Sequence, residues 1–312
     1  MIFVVFVHIH FYFDCDYFGE TCLKSFYLPL FFMLSGLFFK SYSGTREFII
    51  RKVNSILVPF VFFYVITSVL LTWCLSFIRG KNIDWSLLWA FVVPEHYPNL
   101  PIWFLICLFI QCILFYLLYR LYVNKVYVMA LLVFLFGILG IYCRKIGLDL
   151  PMQIDSAMSA MPFFFIGWCI SKYGLLKKLD VSNCRLVLWA ISFIALAYLF
   201  CADVNYQKNM FCSNFFCVYL SGIFGCFFVI CFSKLIRKIR FIRYIGNNSL
   251  IVLCTHQLVL QVTLPIVKRM ELGNWMTIFL TLVIVLSCYI IIVPIMKQFL
   301  PIFIGQKKLF KI

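Results

Sequence analysis

Long apolar stretches alternate along this chain with short polar ones that carry most of its cations. Within the stretches the hydrophobic residues run on continuously, without the polar alternation of a half-buried strand. Runs of about 20 such residues are long enough to cross a hydrocarbon core of ~30 Å as helices. They predict ten spans, near 2–18, 26–40, 57–78, 102–121, 126–143, 157–171, 186–202, 211–232, 248–267 and 275–297. A β-barrel is excluded by the same continuity. The first run is not a secretory signal, because it lacks a basic n-region and a small-residue cleavage site. The pattern predicts an all-α fold: a polytopic integral membrane helical bundle of about ten transmembrane helices, one domain over residues 1–312. There is no fixed-period repeat and no low-complexity tract, and the longest polar segments are about 79–101 and 144–156.

Composition sharpens the choice of solvent. The chain is 65% hydrophobic and 12% charged, with a mean hydropathy of +1.04. A soluble domain carries about 25% charged residues, so lipid is the surrounding medium. The net charge of +16 suggests phosphate-rich partners such as nucleic acid, but topology explains it. With the N-terminus inside and ten alternating spans, the inner side holds 19 of the 27 Lys and Arg residues. The outer side holds Lys24, Arg79, Lys81, Arg144, Lys145, Lys208, Lys268 and Arg269. This bias follows the positive-inside rule and places both termini in the cytoplasm; no nucleic-acid partner is required. Of the 15 cysteines most fall within the apolar runs, where they act as small hydrophobes. No C-x-x-C pair or Cys/His cluster has zinc spacing, so no metal is expected. Cys15 and Cys22 stand where an oxidising compartment would let them pair.

Ionisable groups inside the apolar runs are the informative ones, since each costs a few kcal/mol unless it is buried in protein or faces water. His8 lies in the first run and His256 near the middle of the ninth, and both are expected to face the protein interior. The plain alternative is an interhelical hydrogen bond. In the second run, YLPLFFMLSGLFFK, Ser35–Gly36 offers a small step where another helix or a ligand can approach the backbone. The segment REFIIRKVNSILVPF then puts Arg46, Arg51 and Lys52 at the membrane surface, either as topological anchors or as a phosphate-binding cluster. Trp103, in LPIWFLICLF, sits near the outer interface, where an aromatic belt accounts for it. Asn247, Asn248 and Ser249 form a helix N-cap cluster ahead of His256.

Taken in order, these pieces resemble the membrane acyltransferase-3 family over nearly the whole chain. They are VVFVHIH, PLFFMLSG, RKVNSILVP, IWFL and GNNSLIVLCTH. The resemblance implies transfer of an acyl group, usually acetyl, from acyl-CoA to a hydroxyl of an envelope sugar, polysaccharide or lipid-linked glycan, in a bacterial cytoplasmic (inner) membrane. Acetyl-CoA is then a co-substrate and no bound cofactor is expected. Family members carry an Arg/Asp-containing segment before the first histidine, whereas Met1 here precedes His8 by only seven residues; a start further upstream or a truncated copy is expected.

Such a transfer needs a base for the acceptor hydroxyl, donors for the oxyanion, and a hold on CoA. Histidine suits the first role, with an unperturbed pKa near 6.5. The resemblance assigns His8 as the base and leaves His10 a packing or interfacial role. His256, Ser35 and Asn248 are candidate oxyanion donors. Arg51 and Lys52, on the cytoplasmic side, suit the anionic phosphates of CoA, and Trp103 belongs to the substrate-binding set. A transporter or flippase without chemistry explains the ten runs and basic inner face equally, and an inactive family member is the third reading.

Overall fold

A computed structural model of the chain describes residues 1–13, 19–92, 98–212 and 214–311. It is helical almost throughout. In chain order the helices are α1 (Ile2–His10), α2 (Glu20–Leu37), α3 (Thr45–Ile78), α4 (Leu100–Tyr122), α5 (Val126–Lys145), α6 (Pro151–Ser159) and α7 (Met161–Lys172). They continue as α8 (Asn183–Leu199), α9 (Phe215–Ile236), α10 (Arg240–Asn247), α11 (Ser249–Lys268) and α12 (Asn274–Phe299). A two-residue antiparallel ladder pairs Val204 with Phe211 and Asn205 with Met210.

Among the described residues six helices are long and apolar enough to cross a membrane, or seven if α6 and α7 form one bent span. The expected number of ten is not confirmed, and four of the expected runs account for the difference. Helix α1 ends at His10, with Phe11–Phe13 in a turn, although apolar residues run on. Helix α2 opens with Glu20 and Lys24, which lowers its hydropathy. Helix α8 has only 17 residues. The run read as 157–171 is broken as well: α6 and α7 meet at 57°, with Pro162 in the first turn of α7, where its missing N–H ends backbone pairing with the preceding turn. The proposed partner Cys15 lies outside the described residues.

The chain divides into two compact units. One contains residues 17–45 and 110–240, built on α2, α7 and α9 with α5, α6 and α8 against them. Its helices touch at backbone distance. A Cβ on Gly36 would lie 1.9 Å from Phe164 O, and one on Gly167 would lie 1.9 Å from Met33 O. The small step foreseen at Ser35–Gly36 is thus a helix crossing. Around it Phe115 meets Phe39 and Phe164 with centroids 5.0 and 4.7 Å apart, separations at which aromatic pairs are favourable.

Polar ties lock the same unit. Ser25 Oγ is 2.5 Å from Ser221 Oγ, which donates to Ala197 O at 2.9 Å. Asn209 donates to Gly140 O at 2.6 Å and accepts from Ser159 Oγ at 2.8 Å, while Tyr219 OH donates to Ser159 O at 2.6 Å. Asn209 is buried and its backbone is left-handed (φ 49°), a conformation Asn tolerates better than most residues. Asn209→Ala removes two buried hydrogen bonds, to Gly140 O and from Ser159 Oγ, and is expected to cost about 1–3 kcal/mol. A drop in the detergent-solubilised melting temperature is the measurement.

The other unit contains residues 1–16, 46–109 and 241–312, with α11 packed on α12 and α1 lying against both. Helix α3 runs for 34 residues and includes two π segments, Val53–Leu57 and Tyr64–Leu70, a distortion that often marks functional positions. The outward faces stay apolar: in α5 Leu131, Leu135, Ile138, Leu139 and Tyr142 are exposed along one stripe. A surface of that kind is suited to hydrocarbon, not water.

Candidate functional site

Helices α1 and α11, in the second of these units, bring the two membrane histidines together. The rings of His8 and His256 have centroids 5.0 Å apart, tilted by 59°. His8 is half-buried, and its neighbour Phe11 meets its ring edge-on at 6.0 Å. His256 is fully buried, with 0% exposure. Its Nδ1 lies 2.8 Å from Val252 O and 3.0 Å from Leu253 O. Both partners are acceptors, so Nδ1 carries the proton and Nε2 of the neutral ring is left with its lone pair. Nε2 is buried and has no hydrogen-bond partner among the described residues. His10 points elsewhere: it packs against Phe6 and against Trp275 of α12, with centroids 6.1 and 6.2 Å away. Residues two apart on a helix diverge by about 200°, which is why the two histidines of VHIH separate.

The segment of α11 around His256 is fixed from three directions. Asn99 donates through Nδ2 to Cys254 O and to Thr67 Oγ1, each at 2.9 Å. Tyr289 OH is 3.1 Å from Thr255 Oγ1. Gln257 donates to Tyr12 OH at 2.8 Å, and Lys268 reaches Tyr12 O at 3.2 Å. Asn99 therefore ties α11 to the second π segment of α3, where Thr67 lies. Asn99→Leu is expected to lower thermal stability by about 1–3 kcal/mol, and to lower turnover in the protein that still folds by letting His256 shift. Stability and turnover measured on the same preparation separate the two effects.

The remaining sequence candidates are more dispersed. Asn248 precedes α11, but its side chain donates to Tyr244 O at 2.7 Å and makes no cap bond. It stands about 12 Å of helix rise from His256. Ser35 belongs to the other unit, and its hydroxyl donates to Phe31 O at 2.8 Å within its own helix. Trp103 is 4% exposed, so the aromatic-belt explanation is corrected: it is a packed residue one turn beyond Asn99, edge-on to Phe104. Arg51 forks onto Glu47, with Nε 2.7 Å and a terminal nitrogen 2.6 Å from Oε1. Lys52 Nζ sits 5.7 Å from the Phe48 ring centroid. Both cations occupy the polar first turns of α3. Among the described residues no three His, Cys, Asp or Glu side chains cluster as metal ligands.

Several supporting residues escaped the sequence reading. Asn99, Tyr12, Thr67 and Tyr289 each look like an ordinary polar residue at a loop or helix position, and their partners are up to 256 residues away. The one local signal was Glu47 four residues before Arg51, the spacing of a helical ion pair.

Long apolar helices, two of which bring a pair of histidines together, mark an integral membrane protein. A family model described as an acyltransferase domain matches residues 1–293. The chain belongs to the acyltransferase-3 family and is a membrane acyltransferase. No curated protein and no solved structure matches it.

Proposed function

We propose that the protein transfers an acetyl or other acyl group from cytoplasmic acyl-CoA to a hydroxyl of an envelope glycan or lipid-linked sugar, with His8 as the general base. The observation that carries this reading is the 5.0 Å approach of His8 to His256. Nε2 of His256 has no partner among the described residues in the resting arrangement, and a turn of the neighbouring His8 ring on substrate binding brings one of its nitrogens onto that lone pair and leaves the other as the base. That nitrogen removes the proton as the acceptor oxygen attacks the thioester carbonyl, and returns it to the departing CoA thiolate. His256, held through Nδ1, orients His8 and shares the positive charge that develops on it, as the third group of a catalytic triad does. This assignment replaces oxyanion donation by His256, because a lone pair on Nε2 cannot donate.

Arg51 and Lys52 are proposed to hold the CoA phosphates. They lie about 22 Å of helix rise from Thr67, which Asn99 links to the segment carrying His256. The long pantetheine arm of CoA suits that separation. Glu47 competes for Arg51, so Glu47→Gln is expected to lower the KM for acyl-CoA several-fold and Arg51→Ala to raise it, with smaller effects on the acceptor. Unchanged donor KM in both variants assigns these residues to topology.

Both termini are proposed to be cytoplasmic, in the inner membrane of a bacterium, on the charge bias. Reporter fusions near Lys81 and Lys178 are expected to report opposite sides. The test of the reaction is reconstituted protein given acetyl-CoA and extracted envelope glycan. Thiol release matched by ester formation on the glycan is the expected result. Folded protein that releases no thiol from any acyl-CoA would favour the carrier reading, which the 57° break between α6 and α7 supports to a lesser degree.

A further inference from the structure

Helix α3 is too long for a bilayer. Its 34 residues span about 51 Å, against a hydrocarbon core of ~30 Å, so one end projects. The polar sequence TREFIIRK at Thr45–Lys52 identifies the projecting end. Along it lies the last part of the chain. Phe303 stacks on Phe62 with centroids 4.0 Å apart, and Gly305 passes Ser55, whose Cα a Cβ there would meet at 3.5 Å. Asn54, in the first π segment, then clamps the strap. Its Oδ1 accepts from Leu309 N at 2.8 Å and Phe310 N at 2.9 Å, and its Nδ2 donates to Phe310 O and Ile50 O, both at 2.9 Å. A buried side-chain amide is thus fully used to hold the backbone of Leu309 and Phe310.

Strap and helix flank an open cleft of about 490 Å³ lined by Arg46, Ile50, Val53, Leu309, Phe310 and Lys311. Among the described residues its only charges are the cations Arg46 and Lys311, neither of which has an ion-pair partner among those residues, and its other four lining residues are apolar. This contrasts with Arg51, one turn further along α3, which is forked onto Glu47. Two uncompensated cations beside the positive end of a long helix attract an anion, and the apolar walls require that anion to carry a hydrophobic body. The cleft is large for a phosphate group alone. Its α3 residues lie in and just after the polar turns Thr45–Lys52, at the membrane-surface end of that helix.

We propose that this cleft is a binding site for an anionic phospholipid, its phosphate between Arg46 and Lys311 and its upper acyl chain against Ile50, Val53, Leu309 and Phe310. The bound lipid bridges α3 and the strap and keeps the end of the chain on the membrane surface. The proposal is independent of the acyl-transfer reading, because it concerns binding in the absence of turnover.

The test uses the full chain in nanodiscs, with dioleoylphosphatidylglycerol as probe and dioleoylphosphatidylcholine as the neutral control. The readouts are lipid retained on release into the mass spectrometer and protection of Lys311 from acetylation. Wild-type protein is expected to retain phosphatidylglycerol in preference to phosphatidylcholine and to protect Lys311 only with the former. Arg46→Gln and Lys311→Gln, both at exposed positions, are each expected to weaken retention about fivefold, while Arg46→Lys keeps most of it. Asn54→Leu is expected to expose the strap to protease and to lose the lipid with both cations intact. Equal retention of phosphatidylglycerol in wild type and both Gln variants overturns the site. So does protection of Lys311 by adenosine 3′,5′-bisphosphate with no protection by phosphatidylglycerol, which assigns the cleft to a nucleotide phosphate.

Discussion

Replacing His8 by alanine is expected to lower kcat by about 10²–10⁴-fold per folded molecule, the usual range for loss of a positioned general base. The expectation rests on placement. His8 is only partly buried, and its ring lies 5.0 Å from that of a fully buried histidine. KM values for both substrates are expected to change little, because a base acts in the transition state more than in the bound ground state. His10→Ala is the internal comparison. His10 packs against Trp275, so its loss is expected to lower stability while turnover per folded molecule stays near wild type. A packing role for His8 predicts the same pattern as His10: less folded protein, each molecule fully active.

The largest structural effect is expected from Gly36→Leu or Gly167→Leu. A side chain at either position would begin 1.9 Å from a backbone oxygen of the facing helix, Phe164 O or Met33 O respectively. Rotamer adjustment cannot relieve a clash with backbone, so α2 and α7 must separate along their crossing. Overpacking usually costs ~1–3 kcal/mol; here the cost is expected to exceed ~3 kcal/mol, a large share of the ~5–15 kcal/mol that holds a typical fold. Chromatography of the solubilised protein is expected to show little monodisperse material. Gly273→Ala, where an added Cβ meets nothing within 4 Å, is expected to behave as wild type. Normal folding of Gly36→Leu would show that the two helices do not cross at that step.

The fold was legible where a single run of residues determines the outcome. Continuous apolar runs gave helices at 102–121, 126–143, 248–267 and 275–297 to within a few residues of α4, α5, α11 and α12. The fold is not legible where composition stays apolar across a change of direction, as at the end of α1 and at the bend between α6 and α7, because hydropathy carries no information about backbone geometry. His8 and His256 stood out because charge-bearing rings are rare in such runs. Their mutual approach, the tautomer of His256 and the ties from Asn99, Tyr12 and Tyr289 depend on partners far away in sequence, and no local pattern encodes them. Trp103 shows the opposite case: an aromatic residue near a helix end suits the lipid interface by its position, but the segment Leu100–Ile102 before it packs against α11 and Trp103 is buried.

The central claim is that the two imidazoles work as one unit, and a double-mutant cycle tests it most directly. Turnover per folded molecule is to be measured for His8→Ala, His256→Ala and the double variant. If His256 acts by orienting and charging His8, removing it after His8 is gone has nothing left to affect, and the double variant is expected to match His8→Ala within a factor of a few. Losses that multiply, with the double variant slower by the product of the two single effects, would contradict the account and separate the histidines into independent roles.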